Sequence, residues 1–263
     1  MRVKSFRKLT PQLFQAYQNG LIAESNFWKN WFEQKGGEFK WDYDARTDSN
    51  APIDTRFLNK FKDVISQRKT LKVMDVGSGP ISAINNLRFQ FPNTEIRLFP
   101  IDPLANKYRE YLSLAGLDMQ ITPPISGLGE ILSDLGENGF DLIYSRNAID
   151  HSNDPVVVIF QIINLLKEGS YAYLEHAENE AEWENYDGTH HWNFTEVDGH
   201  FIIWSTERRI DVSVLCSKYA SIAVQRIFEG NRYKIIVDIK KINSSRIKFP
   251  RSLKVYRNFA ENL

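Results

Sequence analysis

Apolar residues in the N-terminal part of the chain recur every three or four positions. Two stripes share this spacing: Leu13, Phe14, Tyr17 and Leu21, then Phe27, Trp28, Trp31 and Phe32. The spacing predicts a helix over residues 10–35, begun by Thr10-Pro11 and ended by Gly36-Gly37. Residues 38–55 are polar and are predicted to be irregular, whereas 56–68 predict a second helix.

From Leu71 the pattern changes to short apolar runs rich in β-branched residues, separated by helical stretches. The predicted strands are 71–76, 95–101, 118–122, 141–146 and 170–175. The predicted helices between them are 81–90, 104–115, 128–135 and 155–167. Strands that alternate with helices in this way predict a parallel sheet with helices on both faces.

The alternation stops after residue 176. Residues 177–200 combine acids, aromatics and histidines without a clear period, and 207–219 predict a helix. Two β-rich runs, 222–228 and 233–240, are joined at Glu229-Gly230-Asn231 and predict a hairpin. The fold class predicted from this order is α/β, with a doubly wound mixed seven-stranded sheet: five parallel strands, a C-terminal antiparallel hairpin and an N-terminal helical cap.

The same order predicts three parts: a helical cap (1–69), an α/β domain (70–242) with a lid insertion (177–206), and a C-terminal tail (243–263). The chain of 263 residues carries 33 basic and 33 acidic side chains, a balance that disfavours a phosphate-reading nucleic-acid binder. Its one cysteine, Cys216, excludes an internal disulfide and a cysteine-based zinc cluster. Without a signal peptide or a long apolar run, we expect a cytoplasmic protein with no membrane partner.

The stretch VMDVGSGP (73–80) combines an acid with a glycine turn. Gly77 and Gly79 allow a sharp turn after the first strand and close approach of a ligand. The dinucleotide fingerprint is incomplete because Ser82 occupies its third glycine position, and the Gly-Lys-Ser/Thr of a P-loop is missing. Asp75 would repel a pyrophosphate, so the turn favours a ligand with a cationic amine.

A second acid, Asp102, ends the second predicted strand. A carboxylate at this place can accept two hydrogen bonds from a ribose diol, although it can also cap the following helix. A ligand that has a ribose and a positive charge but no phosphate is S-adenosylmethionine, which is therefore the predicted cofactor.

These residues, with GFDLIYSRNAIDHSNDP (139–155) and LLKEGSYAYLEH (165–176), resemble class I S-adenosylmethionine-dependent methyltransferases over residues 70–176. The chain departs from the family at Ser78, where cysteine is common, and at Pro80. The stretch ENEAEWENYDGTHHWNF (178–194) further resembles a small-molecule subgroup from bacterial surface-polysaccharide and secondary-metabolite pathways.

The resemblance implies a role for each matching position. Gly77, Ser78 and Gly79 lie under the methionine part of the cofactor, with Asp75 near its amino group. Asp102 binds the ribose hydroxyls. The remaining cofactor positions are Pro103 and Leu104 beside the adenine, Gly127 and Leu128 at its edge, and Ser145, Arg146 and Asn147 facing the methyl group.

The candidate catalytic residues are His151 and His191, because a hydroxyl nucleophile benefits from a base that titrates near neutral pH. The candidate substrate-binding residues are Arg46, His176, Glu178 and Trp192. The histidine-rich stretch is interpreted as a hydrogen-bonded lid, so no metal is predicted; the alternative is a divalent site made by His176 and Glu178 with His190 or His191. We also expect the tryptophan-rich N-terminal helices to fold over the pocket.

Ser145-Arg146-Asn147-Ala148 does not match the Asn/Asp-Pro-Pro-Tyr/Phe of the family's amino-methylating nucleic-acid enzymes. The sequence therefore predicts an enzyme that O-methylates a small polar metabolite, sugar- or nucleotide-linked, with surface polysaccharide as one pathway it would serve. A non-catalytic cofactor-binding partner protein and a nucleic-acid methyltransferase are the alternatives. The sequence leaves the acceptor and the oligomeric state open.

Overall fold

The structure is a computed structural model that describes residues 10–117, 121–249 and 253–261. Its α-helices are α1 (Pro11–Glu33), α2 (Lys40–Thr47), α3 (Thr55–Ser66), α4 (Leu87–Gln90), α5 (Ala105–Leu114), α6 (Pro155–Leu165), α7 (Glu180–Trp183), α8 (Val212–Cys216) and α9 (Leu253–Ala260). Short 3-10 helices cover Gly37–Phe39, Gly129–Leu135 and Ile149–His151. Among the described helices, none has the length and apolar character needed to cross a bilayer.

The strands are β1 (Thr70–Val76), β2 (Glu95–Asp102), β3 (Ile125–Ser126), β4 (Phe140–Arg146), β5 (Leu166–Ala177), β6 (Asn193–Val197), β7 (His200–Trp204), β8 (Arg209–Asp211), β9 (Ala220–Glu229) and β10 (Arg232–Lys241). Seven of them form one sheet in the order β3-β2-β1-β4-β5-β10-β9. β1 to β5 run parallel, and β10 is antiparallel to both β5 and β9. The predicted mixed, doubly wound sheet with its C-terminal hairpin is confirmed.

Helices pack on both faces of this sheet, because each of them buries its apolar side chains against the apolar side chains of the strands. On one face, α3 places Phe57, Phe61 and Ile65 one turn apart, and all three are buried. They pack with Tyr144 of β4 and Tyr173 of β5. On the other face lies α6, which is buried along almost its whole length and begins with Asp154 capping the amide of Val157.

The N-terminal region differs from its prediction at one place. The predicted helices 10–35 and 56–68 are confirmed by α1 and α3, but the irregular prediction for 38–55 is wrong because this stretch contains α2. α2 lacks an apolar stripe. It is stabilised instead by pairs four residues apart, Lys40 with Asp44 at 2.7 Å and Arg46 with Asp42 at 2.8 Å, which a search for hydrophobic periodicity does not detect.

Some sheet-domain elements are shorter or shifted. Of the predicted helix 81–90, only Leu87–Gln90 is helical, because the Ser82 hydroxyl accepts from the amide of Ile84 and holds a turn there. The predicted strand 118–122 lies partly outside the described residues, and the strand beside β2 is Ile125–Ser126. The predicted helix 128–135 is a 3-10 helix, and the predicted helix 207–219 divides into β8 and the short α8.

A small antiparallel sheet, β6-β7-β8, is formed by two strands from the predicted lid insertion (177–206) and one from the stretch after it. Its strands have five residues or fewer, and β6 and β7 join at Asp198-Gly199, where both residues have positive φ. Strands this short are too brief to show a period in the sequence. Phe194, Phe201 and Ile203 pack into the main core, so this region is an integral part of the fold.

The two ends of the described chain meet. Tyr17 and Leu21 of α1 share a buried cluster with Tyr256 and Phe259 of α9, and the rings of Tyr17 and Phe259 lie 5.1 Å apart. Apolar side chains of α9 therefore cover part of α1. The bounds of the three predicted parts stay predictions.

Candidate active site

A cavity of about 600 Å³ lies at the carboxyl ends of β1, β2 and β4. The turn after β1, Asp102 at the end of β2 and Asn147 after β4 contribute to it. α1 and α2 also line it, through Trp28, Trp31 and Trp41 among others, as the sequence predicts for the N-terminal helices. Its volume suits a ligand the size of a cofactor with a small acceptor.

The glycine turn has a backbone that other residues adopt poorly. Gly77 and Gly79 have φ of 69° and 63°, in the left-handed region that favours glycine. A Cβ on Gly77 would overlap the Cβ of Ala148, and one on Gly79 would lie 3.2 Å from Cζ2 of Trp28. The amide of Gly77 donates to the carbonyl of Ile101 at 2.8 Å, which ties the turn to β2.

Asp102 joins this turn to the start of α5. Its Oδ2 accepts from the amide of Gly79 at 3.0 Å, and its Oδ1 accepts from the amide of Leu104 at 2.9 Å. Burial raises the pKa of Asp102 to about 7, against the opposing effect of these two hydrogen bonds. The carboxylate faces the cavity, so a capping role and a ligand-binding role are compatible in one side chain.

Asp75 lies on the cavity wall at the end of β1. Its Oδ2 accepts from the Ser82 hydroxyl at 2.6 Å, whereas its Oδ1 is buried and has no hydrogen-bond partner within residues 10–117, 121–249 and 253–261. Burial raises the pKa of Asp75 to about 6, although the Ser82 hydrogen bond and the charge of Arg46 oppose this shift. An unpartnered carboxylate oxygen in a cavity is a binding point for a cationic donor.

Replacing Asp75 with asparagine should stabilise the ligand-free protein at alkaline pH. Because the pKa of Asp75 is about 6 in the folded chain and 3.8 in the unfolded one, its favourable contribution is complete below pH ~4 and is lost as the pH rises through 6. We expect D75N to raise the free energy of unfolding by about 2 kcal/mol at pH 8, and by much less at pH 4. Urea denaturation at both pH values measures the difference.

The matched control for this prediction is D63N, which removes an exposed acid of α3. It should change the unfolding free energy little at either pH. A gain in D75N that is equal at pH 4 and pH 8 would contradict the assignment of a destabilising buried charge.

The other predicted cofactor residues divide into two groups. Ser78, Pro103, Leu104, Gly127, Arg146 and Asn147 line the cavity. Leu128 and Ser145 do not. Leu128 is buried in the cluster with Tyr17 and Leu21, and Ser145 is fully buried and donates to the carbonyl of Val76 at 2.7 Å. Their predicted contacts with a cofactor therefore do not match their positions, since both face the protein core.

Arg46 lines the cavity, and two of its three guanidinium nitrogens donate to other parts of the protein. Its Nε donates to Asp42, and a terminal nitrogen donates to the carbonyl of Ile81 in the turn after β1. Arg146 donates to the other oxygen of Asp42 at 2.9 Å. Burial and the nearby charge of Arg146 lower the pKa of Arg46. Arg46 thus attaches α2 to the glycine turn, and its predicted contact with an anionic substrate group stays a prediction.

Titratable side chains gather at another part of the cavity wall. His151, Glu180 and His190 line it, and Asp150 lies buried behind them. The rings of His151 and His190 are 4.4 Å apart, and His151 Nε2 lies 3.5 Å from Asp150 Oδ2. Burial lowers the pKa of His190. Burial also opposes protonation of His151, but the charges of Asp150, Glu24 and Glu180 together outweigh it and raise the pKa of His151. Burial and the facing charge of Asp150 raise the pKa of Glu180 to about 7.

Four residues predicted to act on the substrate do not line this cavity. His176 is buried and contacts Asp150 at 3.1 Å through Nδ1. Glu178 binds Thr195 and Arg226 beside a separate surface cavity of about 530 Å³. Trp192 is a core residue whose indole donates to the carbonyl of Asn153. His191 is partly buried and lies next in sequence to His190, which does line the cavity.

The sequence predicts that the tryptophans of α1 lie at the pocket, but Tyr17, Leu21 and Glu24 on the same helix are not among the predicted site residues. Tyr17, Leu21, Glu24 and Trp28 are spaced by four, three and four residues, which places them on one side of the helix, and all four line the cavity. Glu24 accepts from the Trp28 indole at 2.6 Å. The spacing was visible in the sequence, but an apolar stripe is the same whether it faces a core or a cavity.

Comparisons with known proteins leave the family open. Neither the protein-family models nor the curated protein sequences contain a match to the chain. Among solved structures, a proposed sarcosine dimethylglycine methyltransferase from Galdieria sulphuraria is 23% identical over 46% of this chain and 44% of that one, with a TM-score of 0.36.

Two further structures match over more of their length. A proposed S-adenosyl-L-methionine-dependent methyltransferase from Methanococcus maripaludis is 16% identical over 92% of this chain and 99% of its own, with a TM-score of 0.48. A SAM-dependent methyltransferase from Aquifex aeolicus is 14% identical over 71% and 94%, with a TM-score of 0.44. Similarities of this size carry no argument about activity or substrate.

Proposed function

We propose that this chain is an S-adenosylmethionine-dependent methyltransferase that acts on a small polar molecule. One observation carries the proposal: Asp75 and Asp102, at the tips of the neighbouring strands β1 and β2, line one cavity together with the glycine turn between them. Ligands of doubly wound sheets bind at this edge.

The residues present fit the cofactor. Asp102 is the acceptor for the ribose hydroxyls, and the unpartnered Oδ1 of Asp75 is the acceptor for the amino group. Because Gly77 and Gly79 have no side chain, a ligand can approach the backbone of the turn, where a Cβ would lie against Ala148 or Trp28. Pro103, Leu104 and Gly127 offer apolar and backbone surface for the adenine. When bound, S-adenosylmethionine supplies a methyl group already activated by a sulfonium.

The charge of the cavity favours a cationic ligand. Asp75, Asp102, Glu130 and Glu180 line it, and burial raises the pKa of each of them. A nearby positive charge would stabilise their ionised forms. Arg46 and Arg146 share the single carboxylate of Asp42, so these three side chains leave one positive charge against the four acids.

The acceptor is proposed to bind beside His151 and His190, and an O-methylated product is the best match. His151 lines the cavity, and its pKa is raised above the ordinary histidine value, so it can take the proton of an acceptor hydroxyl. With S-adenosylmethionine bound, that oxygen would be the nucleophile for the methyl group, and the sulfur would be the leaving group. A sugar- or nucleotide-linked acceptor fits the polar and aromatic lining from α1 and α2.

Titration calorimetry with S-adenosylmethionine and S-adenosylhomocysteine tests the proposal. We expect one binding site per chain with a dissociation constant at or below about 100 μM, and formation of S-adenosylhomocysteine when a suitable polar acceptor is added. An absence of heat up to millimolar ligand would overturn the cofactor assignment. Binding without turnover on any hydroxylated acceptor would favour a non-catalytic partner protein, and salt-dependent binding to RNA or DNA would favour a nucleic-acid enzyme.

A further inference from the structure

Four side chains from three segments of the chain converge behind and beside the proposed acceptor position. Asp150 and His151 follow β4, Glu180 begins α7, and His190 lies in the loop before β6. One ligand-type atom from each residue lies within 4.8 Å of the corresponding atoms of the other three. Two imidazole nitrogens and two carboxylate oxygens thus meet at one point.

Each of these residues has a buried polar atom that is left without a hydrogen bond. The atoms are Asp150 Oδ2, His151 Nε2, Glu180 Oε2 and His190 Nδ1, and none has a hydrogen-bond partner in the part of the chain that the structure describes. Asp150 is only 2% exposed. Buried polar atoms are normally paired, so four unpaired ones at a single point indicate a missing ligand that all four share.

The neighbouring side chains hold the two carboxylates in place. His176 binds Asp150 Oδ1 at 3.1 Å, and the Asn147 amide donates to Glu180 Oε1 at 3.1 Å. Asn147 itself has a φ of 48° and is held by the amide of Ala177, which donates to its Oδ1 at 3.0 Å. Each carboxylate therefore has one oxygen fixed by the protein and one directed at the cluster, an arrangement that metal ligands commonly have.

The distances are close to those of a bound ion. Ligand atoms about 2.1 Å from one metal lie about 3.0 Å from one another at 90°, about 3.4 Å at the tetrahedral angle and about 4.2 Å on opposite sides. The 3.5 Å between His151 Nε2 and Asp150 Oδ2 falls in this range, and the upper limit of 4.8 Å requires only a small side-chain adjustment. Asp150 and Glu180 also bring two carboxyl groups together, an arrangement that requires a proton or a cation between them.

We propose that Asp150, His151, Glu180 and His190 bind one divalent transition-metal ion in the cavity wall. Imidazole ligands favour ions such as Fe²⁺, Ni²⁺ or Zn²⁺ over Mg²⁺ and Ca²⁺, which prefer oxygen ligands. Four protein ligands leave positions for an acceptor oxygen on an ion that takes five or six ligands. The site differs from the metal alternative considered from the sequence, with which it shares only His190.

The role of the ion rests on the proposed function. An acceptor hydroxyl coordinated to the ion loses its proton more readily, because the metal stabilises the oxyanion. The proton passes to water, and the oxygen attacks the methyl carbon as described above. With the ion bound, His151 acts as a ligand and the hydroxyl needs no separate histidine base.

Metal titration of the chelator-treated, full-length protein tests the site without any cofactor. Co²⁺ is the probe, since its visible absorption reports ligand type and number, and Zn²⁺, Mn²⁺ and Mg²⁺ are compared by calorimetry. We expect one equivalent of Co²⁺ and weaker binding of Mg²⁺. H190Q and E180Q should each weaken Co²⁺ binding by more than the roughly 10- to 100-fold typical of residues behind a ligand. H176Q, which removes the side chain that holds Asp150, should weaken Co²⁺ binding within that range of about 10- to 100-fold.

The matched control is H200Q, which removes a partly exposed histidine that pairs with Asp211 away from the cluster. It should bind Co²⁺ like the wild type. Absence of one-equivalent binding in the wild type, or equal affinity in H190Q and H200Q, overturns the site. S-adenosylhomocysteine binding by the chelator-treated protein separates the two proposals. Cofactor binding without metal binding would contradict only the metal site, and metal binding without cofactor binding would contradict only the methyltransferase assignment.

Discussion

Replacing Asp102 with alanine should weaken the binding of S-adenosylhomocysteine by about 5- to 150-fold. The range corresponds to about 1–3 kcal/mol, the scale on which a hydrogen-bonding group loses its partner in a buried site. Asp102 faces the cavity and its oxygens retain lone pairs beyond those used by the amides of Gly79 and Leu104. Titration calorimetry at pH 8, where the carboxylate is ionised, measures the loss.

A capping role for Asp102 would also perturb the site, so the experiment needs a ligand control. We expect the wild type to bind a 2′,3′-dideoxy analogue of S-adenosylhomocysteine more weakly than the parent compound, and D102A to bind both equally. If D102A still prefers the compound with hydroxyls by the wild-type factor, the ribose assignment is wrong. The free energy of unfolding, measured on the same samples, reports the separate loss of the two backbone hydrogen bonds.

Replacing Gly77 with alanine should lower the free energy of unfolding by about 2–5 kcal/mol. A left-handed backbone costs a non-glycine residue about 1–2 kcal/mol, and an added methyl in a packed place costs about 1–3 kcal/mol more. At Gly77 both costs apply, because φ is 69° and the new Cβ would overlap that of Ala148. Chemical denaturation of ligand-free protein measures the change.

Gly116 provides a matched control for Gly77. Its φ is also 69°, but nothing lies within 4 Å of an added Cβ. G116A should therefore show only the backbone cost, about 1–2 kcal/mol. The double variant G77A/A148G should recover the steric part of the loss. If G77A costs no more than G116A, the close packing of the turn against Ala148 is not a source of strain.

The elements in which apolar residues follow a regular local pattern could be predicted from the sequence. Four of the five parallel strands and the hairpin follow from apolar runs, whereas β3 lies at a different place from the predicted strand 118–122. The glycine turn with Asp75 and Asp102 follows from one short stretch and one strand end. These features depend on neighbours in sequence and on a general rule about where parallel strands end. By contrast, α2 depends on ion pairs, and β6 to β8 are too short to show a period.

The histidine cluster could be predicted only in part. His151, His176 and His190 are all candidate residues in the sequence, but the sequence does not say which of them share a cavity. His176 turns into the core beneath Asp150, whereas His190 reaches the cavity from a loop 39 residues further along the chain than His151. Such placement depends on tertiary packing, as does the choice between His190 and His191.

The contact between α1 and α9 has a consequence for shortened versions of the protein. A fragment limited to 70–242 would retain all ten described strands. It would lack Tyr17, Leu21, Glu24 and Trp28, which form part of the wall of the 600 Å³ cavity. Removing only the last dozen residues would delete α9 and expose to solvent the side of Tyr17 and Leu21 that packs against it. We therefore expect truncation at either terminus to weaken ligand binding even when the seven-stranded sheet still folds.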